Sequence, residues 1–500
     1  MLISILVMLM LPMGMNAQNT NRVADTIRNE SPKMLNSWHN PLVDYMYIAD
    51  PTAIEYQGRL YVYGTNDTQQ LDSVGKLGRN TYQYIKSLAI ISTDDMVNWT
   101  YHGLIKTYET EPYALASWAP SIISREEADG ETHFYIYYSN SGEGVGVMTA
   151  TSPVGPWMDP IGKPLVSRRT PGIDDSAAPF DPGAVIDGNG VGWIVVGGGD
   201  PNPNGTDAKP GNTRIMRLGH DLTSIDGKAV RMDTPYHFEA NELNFIDGKY
   251  VYTYNTNWKK RDEWPYQDKT VPTLCTMNYM TTTTPLDSSS WKYQDVYFKN
   301  PGDYPGFTHS NNHTHLHKFQ GQWYLFYHAL NLQEYRGTRG GFRSLCVDKA
   351  NVTEHPLSIT MGEATLEGVR QIKSVDPTQT HSAAMSAATQ NVRFVETDVV
   401  GKMDAQLIDA SKEGIICIRG VSLDKKLRKG IMHFTGNGTI EIRLGNSNGA
   451  CLVKATSSAS VKLNKKVLKD VPSPVDLFFR LESKDASLQF KDWSLSPKSR

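Results

Sequence analysis

Five segments of the sequence repeat one pattern, a glycine-containing turn followed by alternating aromatic and aliphatic residues. They are Gln57-Gly58-Arg59-Leu60-Tyr61-Val62-Tyr63, Gly130-Glu131-Thr132-His133-Phe134-Tyr135-Ile136-Tyr137, Gly190-Val191-Gly192-Trp193-Ile194-Val195-Val196, Asp247-Gly248-Lys249-Tyr250-Val251-Tyr252 and Gln320-Gly321-Gln322-Trp323-Tyr324-Leu325-Phe326-Tyr327. Period-two patterning after a tight turn predicts the second strand of a β-hairpin. Taking Tyr61, Tyr135, Trp193, Tyr250 and Tyr324 as markers, the intervals are 74, 58, 57 and 74 residues. Each interval has room for about four strands, and five such units predict a five-bladed β-propeller over residues 35–350. Turn-then-tryptophan fragments ending at Trp99 and Trp157, and a looser one ending at Trp291, fit connections to outer strands. Helical periodicity is scarce, so the fold class is all-β.

The composition then changes. All 25 tyrosines lie at or before Tyr335, and Trp493 is the only tryptophan after it. Short alternating segments at 414–418, 430–434, 439–444, 475–481 and 487–493 predict a second, smaller β-sandwich over residues 395–500. That tail carries 18 Lys and Arg against 12 Asp and Glu. Residues 351–394 are expected to connect the two units, with 376–390, rich in Thr, Ser and Ala, as a loose link.

At the other end, residues 1–13 are almost wholly apolar, and Met15-Asn16-Ala17 ends on a small residue. The run is too short to span a bilayer, so residues 1–17 predict a secretory signal peptide and a secreted or periplasmic location. No later run of 18 apolar residues occurs, so the mature chain is expected to lack a transmembrane segment. The formal net charge of −3 supplies no basic field for nucleic acid, and a neutral polymer or small molecule suits it better. The four cysteines show no metal-ligand spacing and read as small buried hydrophobes, with a Cys417–Cys451 disulfide as the alternative. A monomer is expected.

Cleaving a glycosidic bond takes an acid that protonates the leaving oxygen and a carboxylate that activates water or attacks the sugar. In a propeller such groups come from inner strands, which converge at one mouth of the central channel. Candidate acids therefore belong just ahead of the hairpins. Asp50 stands in Tyr47-Ile48-Ala49-Asp50-Pro51-Thr52, ahead of the first, and Asp181 in Pro179-Phe180-Asp181-Pro182-Gly183, ahead of the third. Glu239 stands in Tyr236-His237-Phe238-Glu239-Ala240-Asn241-Glu242, ahead of the fourth, with Glu242 as the alternative if the register slips. All three lie among apolar neighbours, where an idle charge is costly to bury, and their placement looks equivalent from repeat to repeat. Trp118 is the candidate sugar platform, because sugar faces stack on aromatic rings.

These residues resemble glycoside hydrolase family 43. The resemblance spans roughly residues 40 to 350 and rests on Asp50-Pro51, Trp118-Ala119-Pro120, Phe180-Asp181-Pro182, Phe238-Glu239-Ala240, Asn311-Asn312-His313 and Trp323-Tyr324-Leu325-Phe326-Tyr327-His328 in that order. It implies a five-bladed propeller and an inverting mechanism, with Asp50 as general base, Asp181 orienting the acid and tuning its pKa, and Glu239 as general acid. It also implies a calcium ion near His313 at the propeller axis, and a basic residue, Arg343 in Gly341-Phe342-Arg343-Ser344, closing the site from the fifth blade. No organic cofactor is implied. The tail resembles a family 6 carbohydrate-binding module at 438–444, 475–479 and 490–493, but lacks the exposed Tyr and Trp that usually grip sugar. The activity implied is an exo-acting α-L-arabinofuranosidase on arabinose- or xylose-containing plant cell-wall polysaccharide or derived oligosaccharide. The alternatives are β-xylosidase or exo-galactanase of the same family, and, from a different class, a non-catalytic carbohydrate-binding propeller.

Overall fold

The structure, a computed structural model, describes residues 31–35, 38–174, 177–199, 208–259, 264–485 and 487–497. The expected signal peptide at 1–17 lies outside them. Among the described residues the longest helix, Asp67–Val74, has eight residues, and no helix is long and apolar enough to cross a membrane.

Every one of the five repeats folds as the second strand of an antiparallel sheet. The first sheet runs Ala49–Tyr56, Arg59–Thr65, Leu88–Thr93 and Trp99–Ile105, and the second Trp118–Glu126, Thr132–Ser139, Gly144–Ala150 and Val166–Ser167. The third runs Gly183–Ile186, Gly192–Gly197, Thr213–Leu218 and Ile225–Met232, and the fourth His237–Ile246, Lys249–Thr256, Met277–Thr282 and Lys292–Phe298. The fifth has three strands, Thr314–Phe319, Gln322–Ala329 and Ser344–Lys349. The hairpin turns Gln57-Gly58, Asp247-Gly248 and Gln320-Gly321 have both residues at positive φ. This is the two-residue turn whose twist matches the strands it joins, and it explains the glycine at the second place.

Packing between the sheets is cyclic. One apolar cluster joins the first and second sheets around Tyr63, Ile90, Phe134 and Ile136, and another joins the second and third around Tyr137, Val147, Ile194 and Met216. The third and fourth share Trp193, Ile215, Tyr252 and Met280, and the fourth and fifth share Val251, Met277, Leu325 and Tyr327. A last cluster, with Val62, Ile91, Tyr324 and Phe326, brings the fifth sheet back to the first. The leading strands touch in the same cyclic order.

The head of each leading strand explains how they meet. Asp50, Ala119, Asp181 and Ala240 all have positive φ, at 51°, 40°, 49° and 63°. Asp50, Ala119 and Asp181 precede a proline, and Asp50, Ala119 and Ala240 sit at a register shift that removes them from the ladder, as a bulge does. A left-handed non-glycine residue costs about 1–3 kcal/mol and persists only where its surroundings fix it. Here each N–H donates to a side chain of the preceding sheet. Ala119 N–H reaches Thr65 Oγ1 at 2.8 Å, Asp181 N–H reaches Ser139 Oγ at 2.7 Å, Ala240 N–H reaches Asp181 Oδ2 at 2.9 Å, and Asp50 N–H reaches His328 Nδ1 at 3.1 Å. Four of the five junctions are thus latched in one way. At the fourth-to-fifth junction Asn255 Nδ2 donates to Asn312 O at 2.6 Å instead.

The tail forms two further antiparallel sheets around one core. One holds Val392–Glu396, Met403–Leu407, Gln489–Pro497, Leu427–Thr435 and Ala459–Lys462, and the other Ala388–Gln390, Gly414–Val421, Val475–Glu482, Thr439–Leu444 and Cys451–Ala455. The shared core includes Met432, Phe490 and Trp493 from the first and Ile416, Ile442 and Phe479 from the second. Trp493 is fully buried, and all four cysteines are free.

The stretch expected as a loose link at 376–390 is instead built into sheets on both sides. Met385–Ser386 adds to the edge of the first sheet, whereas His381–Ser382 and Ala388–Gln390 pair with tail strands. Small Ala and Ser side chains permit this, because Ala383, Ala384, Ala387 and Ala388 are all buried between packed elements. Asn98 also reaches across. Its Oδ1 accepts from Arg419 N–H at 2.8 Å and its Nδ2 donates to Arg419 O at 3.0 Å. Asn98 is buried, so Asn98→Ala removes both of its bonds to the Arg419 backbone, where Arg419 O still accepts from Gln371 Nε2 at 3.1 Å, and we expect a loss of about 1–3 kcal/mol in urea denaturation. An unchanged denaturation midpoint would show that this contact is idle.

Candidate active site

The left-handed heads of the first and third leading strands carry Asp50 and Asp181, and the equivalent places in the second and fourth carry Ala119 and Ala240. Glu239 is therefore one residue earlier in its strand than the two aspartates are in theirs. The expectation of three equivalent positions holds for Asp50 and Asp181 alone. Trp118, which precedes Ala119, is the positional counterpart of Glu239.

Asp50 is buried, and each of its oxygens is held. Arg343 Nη1 donates to Oδ1 at 2.8 Å and Thr65 Oγ1 donates to Oδ2 at 2.7 Å. His328 Nδ1 lies 3.2 Å from Oδ1, and its Nε2 lies 2.9 Å from Asn311 O. Because Nδ1 accepts the Asp50 N–H, Nε2 is the nitrogen that carries a hydrogen to Asn311. Burial by itself raises the Asp50 pKa, but the Arg343 guanidinium opposes it, and the carboxyl is held well below the usual carboxylate range. Asp50 is an anion at every pH of interest.

The other two acids face the opposite pressure. Burial raises Glu239, and the charges of Asp181 and Asp50 add to that, pushing it up to about 8. Asp181 is also raised, by burial first and by Asp50 second. Two neighbouring carboxyls beside a fixed anion do not both ionise readily, so the pair retains a proton near neutrality. Hydrogen bonds decide where it sits. Asp181 accepts Ala240 N–H on Oδ2 at 2.9 Å and Ser139 Oγ–H on Oδ1 at 3.2 Å, and both bonds favour its ionised form. Among the described residues Glu239 has only the Asn311 side chain for that purpose. The proton therefore resides on Glu239. The Asp181–Ala240 bond also grips the backbone next to Glu239, so Asp181 fixes its position as well as its charge.

Glu242 belongs elsewhere. It is buried with His315 Nδ1 3.0 Å from its Oε1, and the charges that bear on it come from His315. His315 itself is buried and stacks on His317 at 5.6 Å.

The remaining expected residues gather around Asp50. Arg343 is buried, and its guanidinium lies over the Tyr82 ring, 4.9 Å from the centroid. Trp118 is partly exposed. Its indole N–H donates to Tyr82 O at 3.0 Å, and its ring meets Tyr82 edge-on at 6.2 Å. His313 is buried with Nδ1 3.7 Å from Asp50 Oδ1, and burial lowers its pKa to about 4, so it is neutral. Calcium favours a shell of six to eight oxygens. His313 offers nitrogen, and the nearby Asp50 oxygen is already taken by Arg343. Among the described residues no group of three or more His, Cys, Asp or Glu is arranged to hold a metal. The protein groups at His313 do not fit a calcium cage.

Sequence reasoning missed Asp67, Thr65, Ser139 and Tyr82. Asp67 is fully buried and accepts three bonds from Arg343. Its one sequence signal is its place, two residues past the end of the Arg59–Thr65 strand, where the chain reaches the mouth of the site.

The profile of Glycosyl hydrolases family 43 matches residues 38–355, more than half of the chain. The chain belongs to this family. Two curated relatives, arabinoxylan arabinofuranohydrolases of Bacillus subtilis and Paenibacillus polymyxa, are 37% and 33% identical over 355 and 350 residues. Each alignment takes in 68% of this chain but only 66% and 53% of the relatives, so the chain spans less than two thirds of either. The solved structure of a family 43 arabinoxylan arabinofuranohydrolase from Bacillus subtilis, in complex with cellotetraose, matches with a TM-score of 0.83 at 30% identity. It covers 92% of this chain and 98% of that one, and so extends well into the tail. An α-L-arabinofuranosidase from Clostridium thermocellum matches at TM-score 0.50 and 32% identity, covering 65% of this chain and 96% of that one.

The family 43 site stores electrostatic strain at Glu239, which tests directly. An acid whose folded pKa is raised destabilises the fold at any pH above its unfolded value. Glu239→Gln should therefore raise stability at pH 7, by about 0.5–2 kcal/mol, and the gain should vanish below about pH 4, where both states bind the proton. Thermal denaturation across that range checks it, and a variant less stable at pH 7 would mean that Glu239 is not crowded.

Proposed function

We propose that this family 43 protein is an inverting, exo-acting glycoside hydrolase that releases arabinose from arabinose- or xylose-containing plant polysaccharide, as an α-L-arabinofuranosidase. One observation carries the chemistry: a buried carboxylate kept ionised by Arg343 shares a site with a carboxyl that retains its proton. These are the two groups that hydrolysis with inversion needs. The sugar is taken from the arabinofuranohydrolase relatives, two of which exceed 30% identity.

Glu239 gives its proton to the glycosidic oxygen as the bond to the anomeric carbon breaks, and Asp50 accepts a proton from the water that attacks the opposite face. The products are the alcohol of the shortened polymer and a free sugar of inverted configuration, with Asp50 protonated and Glu239 ionised. Proton exchange with solvent resets both. Asp181 holds Glu239 in place and makes its ionisation costly. Trp118 supplies the aromatic wall for a sugar ring, and Arg343 aligns Asp50.

In this proposal the five cyclically packed sheets are the blades of a five-bladed propeller, and the two-sheet tail is a β-sandwich akin to a family 6 carbohydrate-binding module. The protein works as a secreted or periplasmic monomer. The calcium beside His313 is carried by the resemblance alone. Metal analysis of the purified protein before and after chelation decides it.

The experiment is hydrolysis of 4-nitrophenyl α-L-arabinofuranoside and β-D-xylopyranoside by the wild type, Glu239→Ala and Glu242→Ala. We expect arabinoside turnover to dominate and to fall about 10²–10⁴-fold in Glu239→Ala. It should decline on the alkaline side near pH 8, where Glu239 loses its proton. Proton NMR of the first-formed sugar should show inversion. Retention of configuration, or a loss confined to Glu242→Ala, would overturn the mechanism, and preference for the xyloside would overturn the sugar.

A further inference from the structure

Arg343 sits at the head of the last strand of the fifth sheet, and Asp67 begins the short helix after the second strand of the first sheet. The pair therefore spans the junction that closes the ring. Arg343 Nε and its own backbone N–H both donate to Asp67 Oδ2, at 2.9 and 3.0 Å, and Nη2 donates to Oδ1 at 2.8 Å. Asn80 Nδ2 also donates to Oδ2, at 2.8 Å, which holds the carboxylate from the far side. Both members are buried.

A guanidinium has a planar fork of five N–H groups on a long flexible stem, and its position is normally loose. Here the fork edge formed by Nε and Nη2 is filled by one carboxylate in a bidentate pair. The backbone bond to the same oxygen removes sliding and rotation. With that edge occupied, Nη1 is the nitrogen directed at Asp50, and it meets Oδ1 at 2.8 Å. The Tyr82 ring beneath the guanidinium closes the last direction of movement. Asp67 and Asp50 meet on the same guanidinium, so the influence of Asp67 on Asp50 passes through Arg343.

We propose that Asp67 is a positioning residue for the reaction, which acts by fixing which nitrogen of Arg343 meets Asp50 and at what angle. This rests on the function proposed above. The amide of Asp67→Asn cannot replace the carboxylate. One oxygen must take three N–H donors and the other must take one, and an amide turns an NH₂ toward at least one of them.

The full-length protein with 4-nitrophenyl α-L-arabinofuranoside gives the test. Asp67→Asn should lower kcat about 10- to 100-fold, with a much smaller change in KM. In an Arg343→Ala background the same change should alter kcat less than about twofold, because two residues that act as a unit are not additive. Wild-type turnover in Asp67→Asn, or a full further loss in the Arg343→Ala background, overturns the inference. Circular dichroism and thermal melting report folding. If Asp67→Asn does not fold, Asp67→Glu, which keeps the charge but displaces it by one methylene, should show the same kcat-selective loss, and wild-type kcat there also overturns the inference. A crystal structure of the folded variant reads the same point without a substrate: Nη1 should leave Asp50 Oδ1, and an unmoved guanidinium refutes the idea. A wild type that turns over no arabinoside overturns the proposed activity, while the crystal structure still decides the role of Asp67.

Discussion

Four of the five leading strands meet their neighbours through left-handed heads. At Asp50, Ala119, Asp181 and Ala240 the backbone leaves the ladder, and its N–H turns sideways to a side chain of the preceding sheet. A free N–H in this buried place would cost about 1–3 kcal/mol, and the strained φ a similar amount. The bond at each junction removes the first cost and holds the head in the strained φ. The same device places two of the carboxyls in the site, because Asp50 and Asp181 are themselves left-handed heads. Function sits on the fold at the points where the fold is most constrained.

All four of these latches are also parts of the site. Asp181 accepts the Ala240 N–H, so the bond that joins the third and fourth sheets also fixes the backbone beside Glu239. His328 accepts the Asp50 N–H and so joins the fifth sheet to the first at the candidate base. Thr65 serves twice, accepting from Ala119 and donating to Asp50. Stability and chemistry share atoms here, so substitutions at Thr65, Ser139 or His328 disturb both. Glu239 is the exception, because burial and its acidic neighbours oppose its charge.

Electrostatic division of labour follows from one cation. Three acids in one buried site cannot all be anions, and Arg343 selects Asp50 by direct contact. The remaining two are left with a shared shortage of positive charge. The extra hydrogen bonds to Asp181 then leave the proton on Glu239. None of these steps depends on which sugar is bound, which is why the geometry speaks more firmly about reaction type than about substrate.

Much of this was legible in the chain itself. The hairpin period fixes the sheets, since a Gly after Gln57, Asp247 or Gln320 meets the positive φ that a tight turn requires, and the alternation that follows leaves no choice but a strand. The tail strands were readable on the same grounds. Asp50, Asp181 and Glu239 could be chosen because an acid among apolar residues ahead of a hairpin has few reasons to be there. Asp67 could not, because a polar residue after a strand reads as a turn, and nothing local tells that Arg343, 276 residues away, will fill its oxygens. The residues 376–390 were misjudged because small side chains suit a loose link and a tightly packed edge equally well. Local pattern determined the strands, their turns and the acidic candidates. Only the tertiary structure decided the partners of those acids, and with them the charge each carries, because a pKa is set by groups that meet in space and not along the sequence.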